Sequence, residues 1–203
     1  MSSFESMSPT ISPDYWSLHG GNVNPDNCTI IFENYNDCSG SNVMSQRNYP
    51  CDNLIELYFG SINLSEIGEN AFRHQLYLCM ISQTLWMKGE IEMQRNLNVY
   101  GQLIWQLNEI WPTGGWGLVE YGSHAGEYGQ VLGGRWKPLI YLLKRSLYRD
   151  IIATCGAEGQ CYCRNDGSEV LATILVDRFN LISGVVDQVL KRRIWIKRGE
   201  IGT

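Results

Sequence analysis

The sequence predicts a mixed α/β chain that ends in antiparallel β structure. Three observations predict it. Apolar residues recur at helical spacing over residues 64–97 and 136–148. A short apolar run at 100–107 lies between them and reads as a buried strand. After about residue 150, short β-type runs follow one another at intervals near ten residues, separated by turn signals. A long helix beside a buried strand belongs to the α/β class.

The elements follow in order. Residues 1–62 show little periodicity, and Pro9, Pro13, Pro25 and Pro50 punctuate them. They read as a long loop inside something larger. Residues 64–97 read as one helix, opened by a capping box of Asn63 and Glu66. Phe72, Leu76, Cys79, Met80, Gln83 and Met87 form its packing stripe, which Gly89 interrupts. Residues 108–117 form a loop containing Pro and Gly. Trp136 to Tyr148 read as a second helix, with Leu139, Leu142, Leu143 and Leu147 on one face. Lys144, Arg145 and Arg149 suit its C-terminal end. The β-type runs are 151–155, 160–165, 170–179, 185–190 and 193–196. Gly156, Asp166-Gly167, Ser183-Gly184 and Gly199 separate them. An antiparallel sandwich takes ~100 residues, so the part after residue 150 looks cut short.

Composition narrows the function. The chain has 203 residues, 18% charged and 44% apolar, with a net charge of −5. That balance fits a folded chain and argues against a general binder of nucleic acid or acidic membranes. No apolar run approaches the ~20 residues of a membrane span. Seven Cys are many for a cytosolic chain of this length. Cys28, Cys38 and Cys51 lie in polar loop sequence, where cysteines form disulfides. Cys161 and Cys163 would share one face of a strand. With only three His and no paired CxxC units, no metal site is expected. Two sequons, at Asn27 and Asn63, join the cysteines in favouring a lysosomal or secreted protein. The first residues do not form a signal peptide, so the chain reads as lacking its true start.

The segment Trp105-Gln-Leu-Asn-Glu-Ile-Trp-Pro-Thr-Gly-Gly-Trp116 carries the most information. Three Trp and an Asn fall at and after the end of the expected strand. An indole face stacks on the C–H face of a pyranose ring, and an Asn amide bonds a hydroxyl. Simple packing of the loop core is the reading that spacing alone favours over sugar binding.

Trp105-Gln106-Leu107-Asn108-Glu109-Ile110-Trp111-Pro112 resembles the WQLND-x-W(P) segment of β-mannosidases in glycoside hydrolase family 2. The resemblance continues through Trp116, Glu120-Tyr121-Gly122 and Gly133-Gly134-Arg135-Trp136-Lys137-Pro138-Leu139-Ile140-Tyr141. Cys161-Tyr162-Cys163-Arg164-Asn165-Asp166, Ser3-Phe4-Glu5-Ser6 and Asp14-Tyr15-Trp16-Ser17-Leu18 are similar to further family segments. The match is strong over 100–141, moderate over 1–20 and 65–99, and loose after 165; residues 22–60 match little.

The resemblance implies a fold. Residues 1–150 would be the C-terminal portion of a (β/α)8 TIM barrel, with 100–107 as its eighth strand. Residues 151–203 would begin a truncated Ig-like β-sandwich. It also implies an activity, retaining hydrolysis of terminal β-D-mannose from glycans, without a cofactor. The family's acid/base is the Glu of an Asn-Glu pair after the fourth strand. Its nucleophile is the Glu of a Ser-Glu-aromatic-Gly motif on the seventh. Both are expected upstream of Met1, so the chain alone would be inactive and poorly folded, a partner to the rest of the enzyme chain. Glu109, in an Asn-Glu pair, and Glu5 imitate the catalytic residues but stand in other family segments. His19 and His124 read as solvated or structural. What remains is a sugar-facing wall of Trp105, Asn108, Glu109, Trp111 and Trp116. The alternatives are a non-catalytic carbohydrate-binding protein of the same fold, and another family 2 activity, β-galactosidase-like or exo-glucosaminidase-like.

Overall fold

A computed structural model of the chain describes residues 2–8, 45–63, 66, 68–110, 115–121, 134–156 and 158–202. It is a mixture of helices and antiparallel sheets, in the order α1 (Phe4–Met7), α2 (Ser45–Phe59), α3 (Glu69–Asn96), α4 (Pro138–Leu142), β1 (Ile151–Cys155), β2 (Cys161–Asn165), β3 (Val170–Phe179), β4 (Val186–Ile196) and β5 (Ile201–Gly202). A π-helical turn, Leu143–Leu147, extends α4. Two compact units result. One comprises residues 1–88 and 103–143, the other 89–102 and 144–203.

The first unit is built on helices. Phe72, Leu76, Leu78 and Cys79 of α3 bury against Cys51 and Ile55 of α2 and Met7 of α1. A disulfide joins Cys51 to Cys79. The helix α2 corrects the expected irregular stretch over 1–62. Asn48, Tyr49 and Pro50 read as loop sequence, but Cys51 and Ile55, one turn apart, supply an apolar face. The α3 helix starts five residues later than its capping box suggested. Asn63 and Glu66 make only a turn, and Gly68, at φ +123°, admits the chain to the first helical bond. Gly89 leaves α3 unbroken.

The expected strand over 100–107 is also corrected. Its exposure alternates with a period of two, Gln102, Ile104 and Gln106 being half-buried while Leu103, Trp105 and Leu107 are exposed. Yet it joins no ladder among the described residues. A strand needs a neighbour to take its backbone groups, and here the first long-range backbone bonds are those from Leu118 to the carbonyls of Gln106 and Leu107. The predicted second helix is present as α4 and its π turn. Pro138 occupies the first turn, where its missing N–H costs nothing. Leu139, Leu143 and Leu147 are buried, while Lys144 and Arg145 stay exposed near the end.

The second unit holds the β runs, at nearly the positions expected. The exception is 185–190 and 193–196, which are one strand, β4, paired along its length with β3. One sheet has the order β1-β2-β5, and β3-β4 forms a second, all pairs antiparallel. The turns follow their residues. Asn165 accepts from the Gly167 amide at 2.9 Å, and Asn180 accepts from the Ile182 and Ser183 amides at 2.9 and 3.0 Å. Gly184, at φ +70°, closes the β3–β4 hairpin. A cavity of about 280 Å³ is lined from both sheets, by Ala153, Tyr162 and Cys163 and by Ile174, Leu190 and Ile194. Cys155 and Cys161 face each other across β1 and β2 and are disulfide-bonded. Cys163, on the same face of β2 as Cys161, is a buried free thiol. Cys28 and Cys38 lie outside the described residues.

Arg95 ties the end of α3 into this unit. Its guanidinium donates to the carbonyls of Leu147 and Arg149, at 2.6 and 2.9 Å, and pairs with Asp166 at 2.6 Å. Arg164 holds the other Asp166 oxygen at 2.6 Å. Burial acts to raise the Asp166 pKa, but hydrogen bonds and charge from Arg164 and Arg95 outweigh it and hold the carboxyl below its ordinary value.

Two outcomes are expected. Asp166 releases its proton more readily in the folded chain, so its contribution is complete above its unfolded pKa and is lost as pH falls through the lower folded one. Thermal melts from about pH 5 down to pH 2 should therefore show a steeper loss of stability in the parent than in Asp166→Asn. Removing the Cys51–Cys79 bond, as Cys51→Ser/Cys79→Ser, should lower stability by about 3.5 kcal/mol for a loop of this length. Denaturant titration of the two forms checks it.

Candidate functional site

The loop after residue 105 is fixed from its backbone outward. Glu109 donates its amide to the Val119 carbonyl at 2.8 Å, and Val119 returns its amide to Leu107 at 3.0 Å. Val119 also bridges to Trp136, and Lys137 donates its amide to Leu118 at 2.9 Å. Three short segments, around 107–109, 117–120 and 135–137, thus run side by side. From α3, Gln83 reaches across and donates to the Trp116 carbonyl at 2.8 Å.

A buried ion pair closes the arrangement. The Lys137 ammonium donates to Glu109 Oε1, and each side chain is only 1% exposed. Lys137 also donates to the Gly115 carbonyl at 3.3 Å. Burial pushes the Lys137 pKa below the ordinary lysine value, while the charge and hydrogen bond of Glu109 pull the other way. Gly115 and Gly117 of the loop are required by this packing. A Cβ on Gly115 would lie 2.3 Å from Glu109 Oε2, and one on Gly117 would lie 2.5 Å from the Glu109 amide nitrogen.

A second buried carboxylate, Glu120, accepts from the Ser3 amide and hydroxyl, both at 2.8 Å, and from the Ser6 hydroxyl. It anchors α1 to the same group of segments. Glu5, one residue before Ser6, instead points to cations. It pairs with Arg73 and lies 3.7 Å from Arg135.

The site residues named from the sequence therefore part company. Trp105 is 74% exposed and Trp116 54% exposed, and Asn108 is exposed beside them in sequence. Asn108 donates its amide to the Glu109 carbonyl at 3.1 Å. Glu109 turns inward to Lys137. Trp111, Asn27, His19 and His124 lie outside the described residues, whereas Asn63 is exposed. Lys137 and Glu120 were quoted in the sequence only as parts of motifs. Their role is tertiary, and no spacing rule pairs Lys137 with a carboxylate 28 positions away. A lysine in the last residue before a helix-opening proline was the available hint.

Exposed indoles and an exposed amide in one short segment can meet a polyhydroxylated ligand. The chain is 32% identical over 100 residues to the β-mannosidase of Capra hircus, covering 45% of this chain and 10% of that protein. It is 31% identical over 99 residues to the β-mannosidase of Bos taurus, and 31% over 84 residues to that of Rattus norvegicus. This chain is β-mannosidase-like. It spans about a tenth of the length of these relatives. No protein-family model matches it.

The ion pair makes a direct prediction for this β-mannosidase-like segment. Lys137→Met leaves Glu109 buried without its cation and should cost about 3–5 kcal/mol. The double variant Lys137→Met/Glu109→Leu should recover most of that loss. Chemical denaturation of the three chains measures it; equal stability of parent and Lys137→Met would show the pair to be unimportant.

Proposed function

We propose that this segment forms part of the sugar-binding wall of a retaining β-mannosidase of glycoside hydrolase family 2, acting on terminal non-reducing β-D-mannose of glycans. The observation that carries this reading is the exposed Trp105 beside Asn108, on a loop fixed by the buried Lys137–Glu109 pair, in a chain related to β-mannosidases. In this reading residues 1–150 are barrel sequence and 151–203 the start of an Ig-like domain. The two facing antiparallel sheets after residue 150 support the latter. Trp105 stacks on the non-reducing sugar, and Asn108 bonds a hydroxyl. Trp111 and Trp116 shape the rim. Glu109 positions the loop from within, and the two catalytic glutamates come from sequence outside this segment. Two disulfides and the exposed Asn63 favour a lysosomal or secreted protein with a glycan at Asn63 and Asn27.

A non-catalytic carbohydrate-binding protein is the second reading. Its support is that the aromatic residues face solvent while Glu109 is sequestered.

Under the second reading, methyl β-mannoside titrated against the 203-residue chain should quench Trp fluorescence saturably, and Trp105→Ala should abolish the response. The same chain should not hydrolyse an aryl β-mannoside. Turnover that Glu109→Gln removes would overturn the positional role of Glu109. The native mass separates the two readings. A species several times 23.1 kDa supports the enzyme, and one near 23.1 kDa plus glycans supports the binding protein.

A further inference from the structure

The β3–β4 hairpin has two different faces. Ile174, Leu190, Arg192 and Ile194 line the cavity toward the other sheet. Residues paired across an antiparallel ladder point to the same side. On β4, Lys191, Arg193 and Trp195, opposite Leu175, Thr173 and Leu171, alternate with Leu190, Arg192 and Ile194 and take no part in the cavity lining. Trp195 is 64% exposed, and Lys191, Arg193, Leu175 and Thr173 are exposed with it. On β4 the three residues Lys191, Arg193 and Trp195 are each two apart, so they line up at intervals of roughly 7 Å.

Positive charge is concentrated along and just after β4, with Lys191 and Arg193 on this outer face and Arg192 on the other. Residues 188–198 hold five of the chain's 16 cations and no carboxylate, in a chain of net charge −5. Among the described residues no acidic side chain pairs with Lys191, Arg192 or Arg193. The flanking acids are turned elsewhere. Asp187 pairs with Arg178 at 3.0 Å, and Glu200 accepts from the Lys197 amide at 2.8 Å. A row of unpaired cations on a sheet face creates a local positive field that favours a polyanion.

We propose that this outer face of the hairpin binds a sulfated glycan, with Lys191 and Arg193 on sulfates and Trp195 against a sugar ring. This goes beyond the mannoside-binding reading and uses the other unit of the chain. Three observations favour a glycan over a lipid surface or nucleic acid. Exposed Trp195 continues the line of cations, as a polymer with alternating rings and anions requires. The apolar tip of the hairpin, Leu181 and Ile182, is the part a membrane would take up. It lies roughly 15 Å along the strand from Lys191, farther than the ~8 Å over which exposed charges act at physiological salt. The neutral Arg178–Asp187 pair stands between them. The disulfides match an oxidising compartment, where sulfated glycans rather than nucleic acids are met.

The test uses the full 203-residue chain, oxidised, and a heparin-derived sulfated octasaccharide in calorimetric titration. Saturable binding that weakens as salt rises is expected, with none to the desulfated octasaccharide. Lys191→Gln/Arg193→Gln should weaken it at least tenfold, and Trp195→Ala about tenfold. All these side chains are exposed, so the thermal transition should not move. Lys144→Gln/Arg145→Gln, with the same change in net charge, should leave binding unchanged; equal weakening would reduce the effect to overall charge and overturn the proposal. Unaltered binding by Lys191→Gln/Arg193→Gln would overturn it too. So would binding to phosphatidylserine vesicles, but not to the octasaccharide, that Leu181→Asp/Ile182→Asp abolishes.

Discussion

One buried ion pair organises the first unit. Lys137 and Glu109 lose nearly all contact with water, a cost of several kcal/mol for each ion that only a close partner offsets. Once the pair forms, much else is constrained. The Gly115 carbonyl must turn toward the ammonium, and neither residue 115 nor residue 117 has room for a Cβ. The segments around 107, 118 and 136 are held in register by backbone bonds, and Trp105 and Trp116 are left on the outside. The hydrophobic core made by α2 and α3 gives the unit its bulk. The pair determines which way the loop's side chains face.

The second unit rests on a different arrangement. Arg95 satisfies carbonyls that the end of the π-helical turn leaves open, and through Asp166 it engages Arg164. Buried Asn165 donates to the carbonyls of Ser168 and Ile196 at 2.8 and 2.9 Å. That one side chain thereby fixes the exit from β2 and the end of β4. Tyr162 belongs to the same group. Burial and the nearby Glu92 charge push its pKa up to about 12, against the opposing effect of Arg95. It remains a neutral hydrogen-bond donor, to the Glu92 carbonyl, across the physiological range.

Legibility in the sequence tracked the range of the interaction. The β runs after residue 150 were readable because their turns are local: Asn165 with Gly167, Asn180 with Ser183, and Gly184 at positive φ each act within three residues. The α3 stripe was readable because helical spacing is local as well. By contrast, α2 carries Asn48 and Pro50 and owes its place to α3 and a disulfide 28 residues away. The run at 100–107 has the composition and alternation of a strand, but pairing depends on neighbours that composition does not reveal. Trp105, Asn108 and Trp116 could be named in advance as side chains suited to a sugar. That Glu109, between them, turns inward depends on Lys137, so the sequence alone grouped it with its exposed neighbours.

That inward turn bears on mechanism. A retaining glycosidase needs two carboxyl groups roughly 5–5.5 Å apart, both open to the glycosidic bond. Three glutamates among the described residues of the first unit are each engaged otherwise. Glu109 holds Lys137, Glu120 accepts from Ser3 and Ser6, and Glu5 is paired with Arg73. These glutamates serve as struts that hold the segments of the first unit together.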